Sequence, residues 1–124
     1  MAEKKNGIIQ KYDDYKLKHE YFCFNGKKEG VYKSNGLFFK IYNYKNDKKE
    51  GEYKQYHTNG QLKVIRNYTN NKVEGKVKTY YNNGQSSVIS NYKNDKKEGE
   101  FKSYYMNGQL RRICSYKNGK IEIN

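Results

Sequence analysis

The chain has 124 residues, 26 basic and 13 acidic, with a formal charge of +13, 15 tyrosines, no proline and no tryptophan. Only 34% of its residues are apolar, against the usual 45–50% or so, which is too little to fill a thick globular core and argues against a β-sandwich. One domain is the expectation at this length, and a thin sheet with rings lying across one face needs the least apolar mass.

Met1–Gly7 is polar and charged and reads as a frayed terminus. It lacks the apolar run of a signal peptide, and no stretch of the chain is long enough to span a membrane. Ile8–Tyr12 suits an edge strand with Asp13-Asp14 as its turn. Residues 1–14 are therefore a tail or edge strand, and residues 15–124 a repeat domain. Tyr15–Phe24 is a worn half-repeat whose Leu17 aligns with Leu62. The next unit is short: Gly30 to Gly36 is six residues where Gly51 to Gly60 is nine. An odd deletion swaps the faces of a strand unless a bulge absorbs it. An irregular hairpin near Val31–Asn35, acting as an N-terminal cap, is the expectation.

From Tyr44 the chain repeats itself every 24 residues: YKNDKKEGEYKQYHTNGQLKVIRN, then YTNNKVEGKVKTYYNNGQSSVISN from Tyr68, then YKNDKKEGEFKSYYMNGQLRRICS from Tyr92. Tyr116 opens another copy, and Lys120–Asn124 stops within it, which predicts an exposed or docking sheet edge there. Two turn sites recur. One is Asn-Gly, at Asn35-Gly36, Asn59-Gly60, Asn83-Gly84 and Asn107-Gly108. Between β-rich runs this pair predicts a type I′ hairpin, which needs φ > 0 at both central residues. The other reads Asn25-Gly26, Asn46-Asp47, Asn70-Asn71, Asn94-Asp95 and Asn118-Gly119, residues that also tolerate such a backbone. Two reversals per repeat give two strands, and about ten segments follow between residues 16 and 124. The runs between turns are rich in Tyr, Val, Ile, Phe and Thr, which suit a pleated surface.

Apolar positions recur as ladders: Phe38, Leu62, Ser86 and Leu110; Ile41, Ile65, Ile89 and Ile113; Tyr44, Tyr68, Tyr92 and Tyr116; Tyr32, Tyr53, Val77 and Phe101; Tyr56, Tyr80 and Tyr104. Read together as the core, they let each repeat cover the next. The glycine of the recurring Glu-Gly (Gly30, Gly51, Gly75, Gly99) is then expected to let a ring lie flat on strand backbone. The predicted fold is all-β: an elongated, single-layer, twisted antiparallel meander of about five 24-residue β-hairpin repeats.

Tyr116, Asn118 and Gly119, with Tyr104, Tyr105, Asn107, Gly108, Gln109 and Leu110, give the pattern its signature. It resembles the MORN repeat family, in the bacterial and viral variant, over roughly residues 15–124. The resemblance implies an interaction or scaffold module. Bacterial proteins of this look are described as antitoxins of the YwqK type, and eukaryotic relatives as scaffolds and membrane-proximal linkers. The sequence departs from the family in lacking Trp and in placing Asp or Asn at several turn glycines.

No catalytic, cofactor or metal constellation is found. His19, His57, Cys23 and Cys114 lack zinc spacing, and the two cysteines lie too many strands apart for a disulfide, so reduced thiols in a cytoplasmic setting are expected. His57 occupies the slot of Tyr81 and Tyr105 and reads as an aromatic replacement. Glu50, Glu74 and Glu98 are expected to pair with lysines such as Lys49 and Lys97, at about 0–1 kcal/mol each. The glycines are turn glycines and form no phosphate cradle. The chain is read as no enzyme, with no cofactor and no small-molecule substrate.

What remains is periodic. Lys27-Lys28, Lys48-Lys49, Lys72 and Lys96-Lys97 are placed along one long edge, with rungs about 10 Å apart. Lys48, Lys49, Lys72, Lys96, Lys97, Tyr81 and Tyr105 are the candidate partner-binding residues. The first function they suggest is a protein-binding scaffold, as a structural, virion or effector component in host cytoplasm or virion, with self-association through a sheet face or edge. An antitoxin-like neutraliser is the second, and a basic binder of nucleic acid or anionic membrane the third. The wealth of Lys, Asn, Tyr and Ile also matches the codon bias of an AT-rich genome.

Overall fold

The computed structural model describes residues 6–12, 18–35 and 39–123. Thirteen strands among them form one sheet. They are β1 (Gly7–Tyr12), β2 (Lys18–Phe24), β3 (Lys27–Asn35), β4 (Lys40–Lys45), β5 (Lys48–Lys49), β6 (Gly51–Tyr56) and β7 (Leu62–Thr69), followed by β8 (Lys72–Tyr80), β9 (Ser86–Lys93), β10 (Lys96–Lys97), β11 (Gly99–Tyr104), β12 (Leu110–Lys117) and β13 (Lys120–Ile121). All pairings are antiparallel and sheet order follows chain order, with the two-residue β5 and β10 continuing into β6 and β11 along the same edge of β4 and β9. The chain exposes 8678 Å², about a quarter more than the roughly 7000 Å² of a compact protein of this mass, as an open single layer should.

The two turn sites differ from expectation in an instructive way. The type I′ hairpins form at Asn25-Gly26, Asn46-Asp47, Asn70-Asn71, Asn94-Asp95 and Asn118-Gly119, where both residues have φ between 50° and 81°. The repeated Asn-Gly pairs at 59, 83 and 107 are not type I′. In the first of these only Gly60 is left-handed, at φ 88°. The Gly60 N–H donates to the His57 carbonyl at 2.9 Å, and the His57 N–H donates to the Gln61 carbonyl at 2.7 Å. The loop is thus a hydrogen-bonded turn closed by a left-handed glycine, one of the longer hairpin connections. The Asn59 side chain holds it, its Oδ1 accepting from the Gln61 N–H at 3.0 Å. Each of these loops is followed by a bulge, where Lys63, Ser87 or Arg111 is skipped in the strand register. The turn expected at Asp13-Asp14 and the ladder residue Phe38 lie outside the described residues.

The Glu-Gly glycines mark irregular points along the strands: Gly30 and Gly75 lie inside β3 and β8, and Gly51 and Gly99 open β6 and β11. At Gly30, Gly75 and Gly99 an added Cβ would meet nothing within 4 Å, and at Gly51 only Asn43 Cβ at 3.9 Å. Ring cover therefore does not explain them. Their φ values of 70° to 90° do: a left-handed residue lets the strand bulge. Across the Gly75 bulge the register moves from Asn67 opposite Glu74 to Ile65 opposite Lys78. The irregularity expected near Val31–Asn35 appears on one side only: toward β2 the register slips at Gly30 and Val31, from Tyr21 opposite Tyr32 to Phe22 opposite Glu29, whereas the side toward β4 is regular. Gly30–Ser34 pair without a break against Tyr44–Lys40, because the three-residue shortening falls beyond them, toward the loop.

Pleat alternation sorts the ladders onto two faces. Tyr32 opposite Tyr42, Tyr53 opposite Arg66, Val77 opposite Ser90 and Phe101 opposite Cys114 share one face with Tyr44, Tyr68, Tyr92 and Tyr116. This is the ring face. The Ile41, Ile65, Ile89 and Ile113 ladder, expected to join the same core, lies on the other face, opposite Lys33, Lys54, Lys78 and Lys102. The two ladders stand three residues apart, and an odd spacing in a strand puts side chains on opposite sides. Burial follows the ring face: Cys23, Tyr53, Tyr68, Val77, Ser90 and Ser103 are buried, and Tyr53 is only 2% exposed.

Candidate interaction surfaces

At the hairpin-tip margin each repeat is bonded to the one before it. The Asp47 N–H donates to the Lys28 carbonyl at 3.0 Å, and Asp47 Oδ1 accepts from the Lys28 N–H at 2.7 Å. Asn71 makes the same pair of bonds to Lys49 at 2.9 and 2.7 Å, and Asp95 to Val73 at 3.1 and 2.6 Å. This is why Asp or Asn stands where a bare turn needs only glycine. Gly119 keeps the N–H bond, to the Lys97 carbonyl at 2.9 Å, and has no side chain for the second.

The recurring glutamates complete this ladder rather than pairing with lysine. Glu29 Oε1 accepts from the Asn46 N–H at 3.0 Å, Glu50 Oε2 from Asn70 at 2.6 Å, Glu74 Oε1 from Asn94 at 2.7 Å and Glu98 Oε2 from Asn118 at 2.8 Å. A carboxylate on a turn N–H is a charge-assisted bond, stronger than an exposed ion pair. The ion pairs that form among the described residues use other glutamates: Lys18–Glu20 at 3.7 Å, Lys54–Glu52 at 3.2 Å and Lys102–Glu100 at 3.3 Å. Lys54 is held charged to higher pH by its hydrogen bond and Coulomb attraction to Glu52.

The opposite margin is laced in the same way. His57 Nε2 donates to the Tyr80 carbonyl at 2.8 Å, and the Tyr81 hydroxyl donates to the Tyr104 carbonyl at 2.7 Å. His57 thus fills the tyrosine slot by function as well as position, as the tautomer protonated on Nε2. Asn59 Nδ2 reaches the Asn82 carbonyl at 2.7 Å and Asn83 Nδ2 the Met106 carbonyl at 3.0 Å. Tyr105, last in this series, is 50% exposed.

On the ring face, the Tyr42 and Tyr53 ring centroids lie 4.4 Å apart, and Tyr21 and Tyr32 are stacked at 5.4 Å. Cations cover these rings. Lys28 Nζ sits 5.2–5.3 Å from Tyr21, Tyr32 and Tyr44, Lys49 Nζ 4.6 Å from Tyr42, and the Arg66 guanidinium 4.4 Å from Tyr53. Lys97 Nζ is 5.0 Å from both Phe101 and Tyr116. Burial, reinforced by the neighbouring phenols, pushes the Tyr44 hydroxyl up to about 12. Burial also raises Tyr53 and Tyr68, against a partial lowering by Arg66.

The candidate lysines accordingly fall into two sets instead of one row. Lys49 and Lys97 are half-buried over rings. Lys48, Lys72 and Lys96 point to the isoleucine face and are exposed. Of the two tyrosines, Tyr81 bonds the next repeat and Tyr105 is open. Sequence reasoning missed Lys45, Lys93, Lys117 and Lys120, which stand across the tips from Lys48, from Lys96 and from each other. The signal was available: residues flanking a two-residue turn always face each other. Cys23, buried, stands on β2 and Cys114, half-buried, on β12. No cluster of metal-ligating side chains occurs among the described residues.

An open sheet of hairpins, laced at both margins by side chains that recur with the repeat, defines a β-hairpin repeat protein. A family model described as MORN repeat variant matches residues 49–70, 73–94 and 97–118, just over half of the chain. The protein belongs to the MORN repeat family. The upstream hairpins of residues 18–45 share its strand pairing outside the matched stretches. No curated protein matches the chain significantly.

Proposed function

We propose that this protein is a non-catalytic platform that holds a protein partner across its sheet surface, as a scaffold. MORN repeats are in general modules of interaction with proteins or membranes. The observation that carries the reading is where the recurring polar groups go. The tip acids, the turn asparagines, His57 and Tyr81 bond backbone of the adjoining repeat. They build a rigid ruled surface and converge on no reacting centre. The pockets of the sheet, such as that lined by Lys18, Glu20, Lys33 and Phe39, are open to solvent. Recognition by such a surface rests on rigid exposed side chains presented at a fixed spacing.

The test is affinity purification of the tagged full chain from its source, with quantitative identification of bound proteins. The expected result is one reproducible stoichiometric protein whose capture survives a nuclease treatment. Recovery of no reproducible protein from repeated preparations overturns the reading.

A further inference from the structure

The exposed lysines at the hairpin tips form rungs on the isoleucine face. In register they are Lys45 opposite Lys48, Thr69 opposite Lys72, Lys93 opposite Lys96 and Lys117 opposite Lys120. Three rungs thus set one lysine directly against another, an arrangement that destabilises a sheet. Glu50 lines a pocket with Lys45 and Lys48, but the acids near the tips are engaged with backbone. Asp47, Asp95, Glu29, Glu50, Glu74 and Glu98 all turn to backbone N–H groups of the tips. None of the seven rung lysines is within ion-pair distance of a described carboxylate. Further from the tips on the same face, Lys54 and Lys102 do have glutamate partners. Lys33 and Lys78 on that face pair with no described carboxylate, so what is particular to the tips is lysine set directly opposite lysine.

We propose that these rungs bind the phosphate backbone of a single-stranded nucleic acid, without reading its bases. Equivalent rungs are two strands apart, about 10 Å. With a screening length of about 8 Å at physiological salt their fields overlap into a continuous positive track. Strands rotate by roughly 20–25° from one to the next, so successive rungs turn by roughly 40–50° and the track winds around the sheet. A flat anionic bilayer meets only neighbouring rungs of such a track, and a duplex of about 150 base-pair persistence length resists following it. A flexible strand follows all of it. No rung from Lys45 to Lys120 carries an aromatic side chain to stack on a base, so contact is to phosphate and sequence-independent. The inference is independent of the protein partner proposed above, and each can fail alone.

The experiment is fluorescence anisotropy of labelled single-stranded 30-mers of two unrelated sequences, with the full chain, across a salt series. The repeat itself supplies the variant: Thr69 already occupies the place of Lys45, Lys93 and Lys117, so Lys45→Thr/Lys93→Thr/Lys117→Thr keeps the frame and removes three charges. The control Lys11→Gln/Arg111→Ser/Arg112→Val removes three charges away from the tips, and Ser87 and Val88 are what the preceding repeat places at the positions of Arg111 and Arg112. Both variants are checked by circular dichroism and thermal melting. The expected result is equal affinity for both sequences, a loss of about tenfold or more in the threonine variant, and a salt slope shallower by about 2. The control changes affinity less than twofold. Equal loss in both variants, affinity unchanged by salt, or binding to phosphatidylserine vesicles but not to the oligonucleotides overturns the proposal. If the threonine variant melts early, Lys93→Thr alone, with a slope change of about 0.7, makes the same test.

Discussion

The ring face is filled differently in its two halves. From β2 to β7 six tyrosines (Tyr21, Tyr32, Tyr42, Tyr44, Tyr53 and Tyr68) touch one another under Lys28, Lys49 and Arg66. From β8 to β12 the equivalent slots hold Val77, Ser90 and Cys114, with one ring pair left, Phe101 against Tyr116 at 5.6 Å. The turn bonds are nevertheless the same in both halves: Glu29 and Glu98 perform one task, as do Asp47 and Asp95. The hydrogen-bonded frame at the margins sets the geometry of every repeat, and the ladder between the margins is free to be aromatic or small.

The largest test of that contrast is truncation of rings. Tyr53→Ala, in the crowded half, is expected to cost about 3–5 kcal/mol, read from urea unfolding at constant m. Phe101→Ala, half-exposed in the sparse half, should cost about half as much. Equal losses would show that ring packing does not distinguish the halves. Next come the margins, where the halves should agree. Glu50→Ala and Glu98→Ala each remove the acceptor of a turn N–H and should cost about 1–3 kcal/mol. Glu100→Ala, which loses an exposed pair with Lys102, should cost no more than about 1 kcal/mol. Gly75→Ala has open space for its Cβ but a φ of 81°, so backbone strain alone is expected, about 1–2 kcal/mol. Gly75→Asn should recover part of it, since Asn visits that region more readily.

The mildest effect is on pH dependence. Folding raises the Tyr44 hydroxyl from its ordinary value of 10.0 to about 12. The native state then holds a proton that the unfolded chain has lost, so this stabilisation is complete below pH 10 and disappears as pH rises toward 12. Unfolding midpoints of the parent should fall between pH 9 and 11, and Tyr44→Phe should fall less. Parallel curves for the two would remove Tyr44 from the account.

Period and the two reversals per repeat follow from local chemistry, because Asn, Asp and Gly mark turns wherever they occur between β-formers. The ten or so segments expected become thirteen strands where Glu50 and Glu98 interrupt two of them and Gly7–Tyr12 adds one. The separation of the Ile41 and Tyr44 ladders was also legible, since a spacing of three crosses the sheet. Which Asn pair takes which turn was not: Asn59-Gly60 and Asn70-Asn71 differ through bonds to residues up to 23 positions away. The same holds for Glu74, whose nearest charges in sequence are lysines but whose partner is the Asn94 N–H of the following hairpin. Sequence alone therefore determined the repeat and its strands. Only the assembled sheet decided which polar groups lace neighbours together and which lysines are left facing solvent, because both depend on contacts between repeats that no single repeat contains.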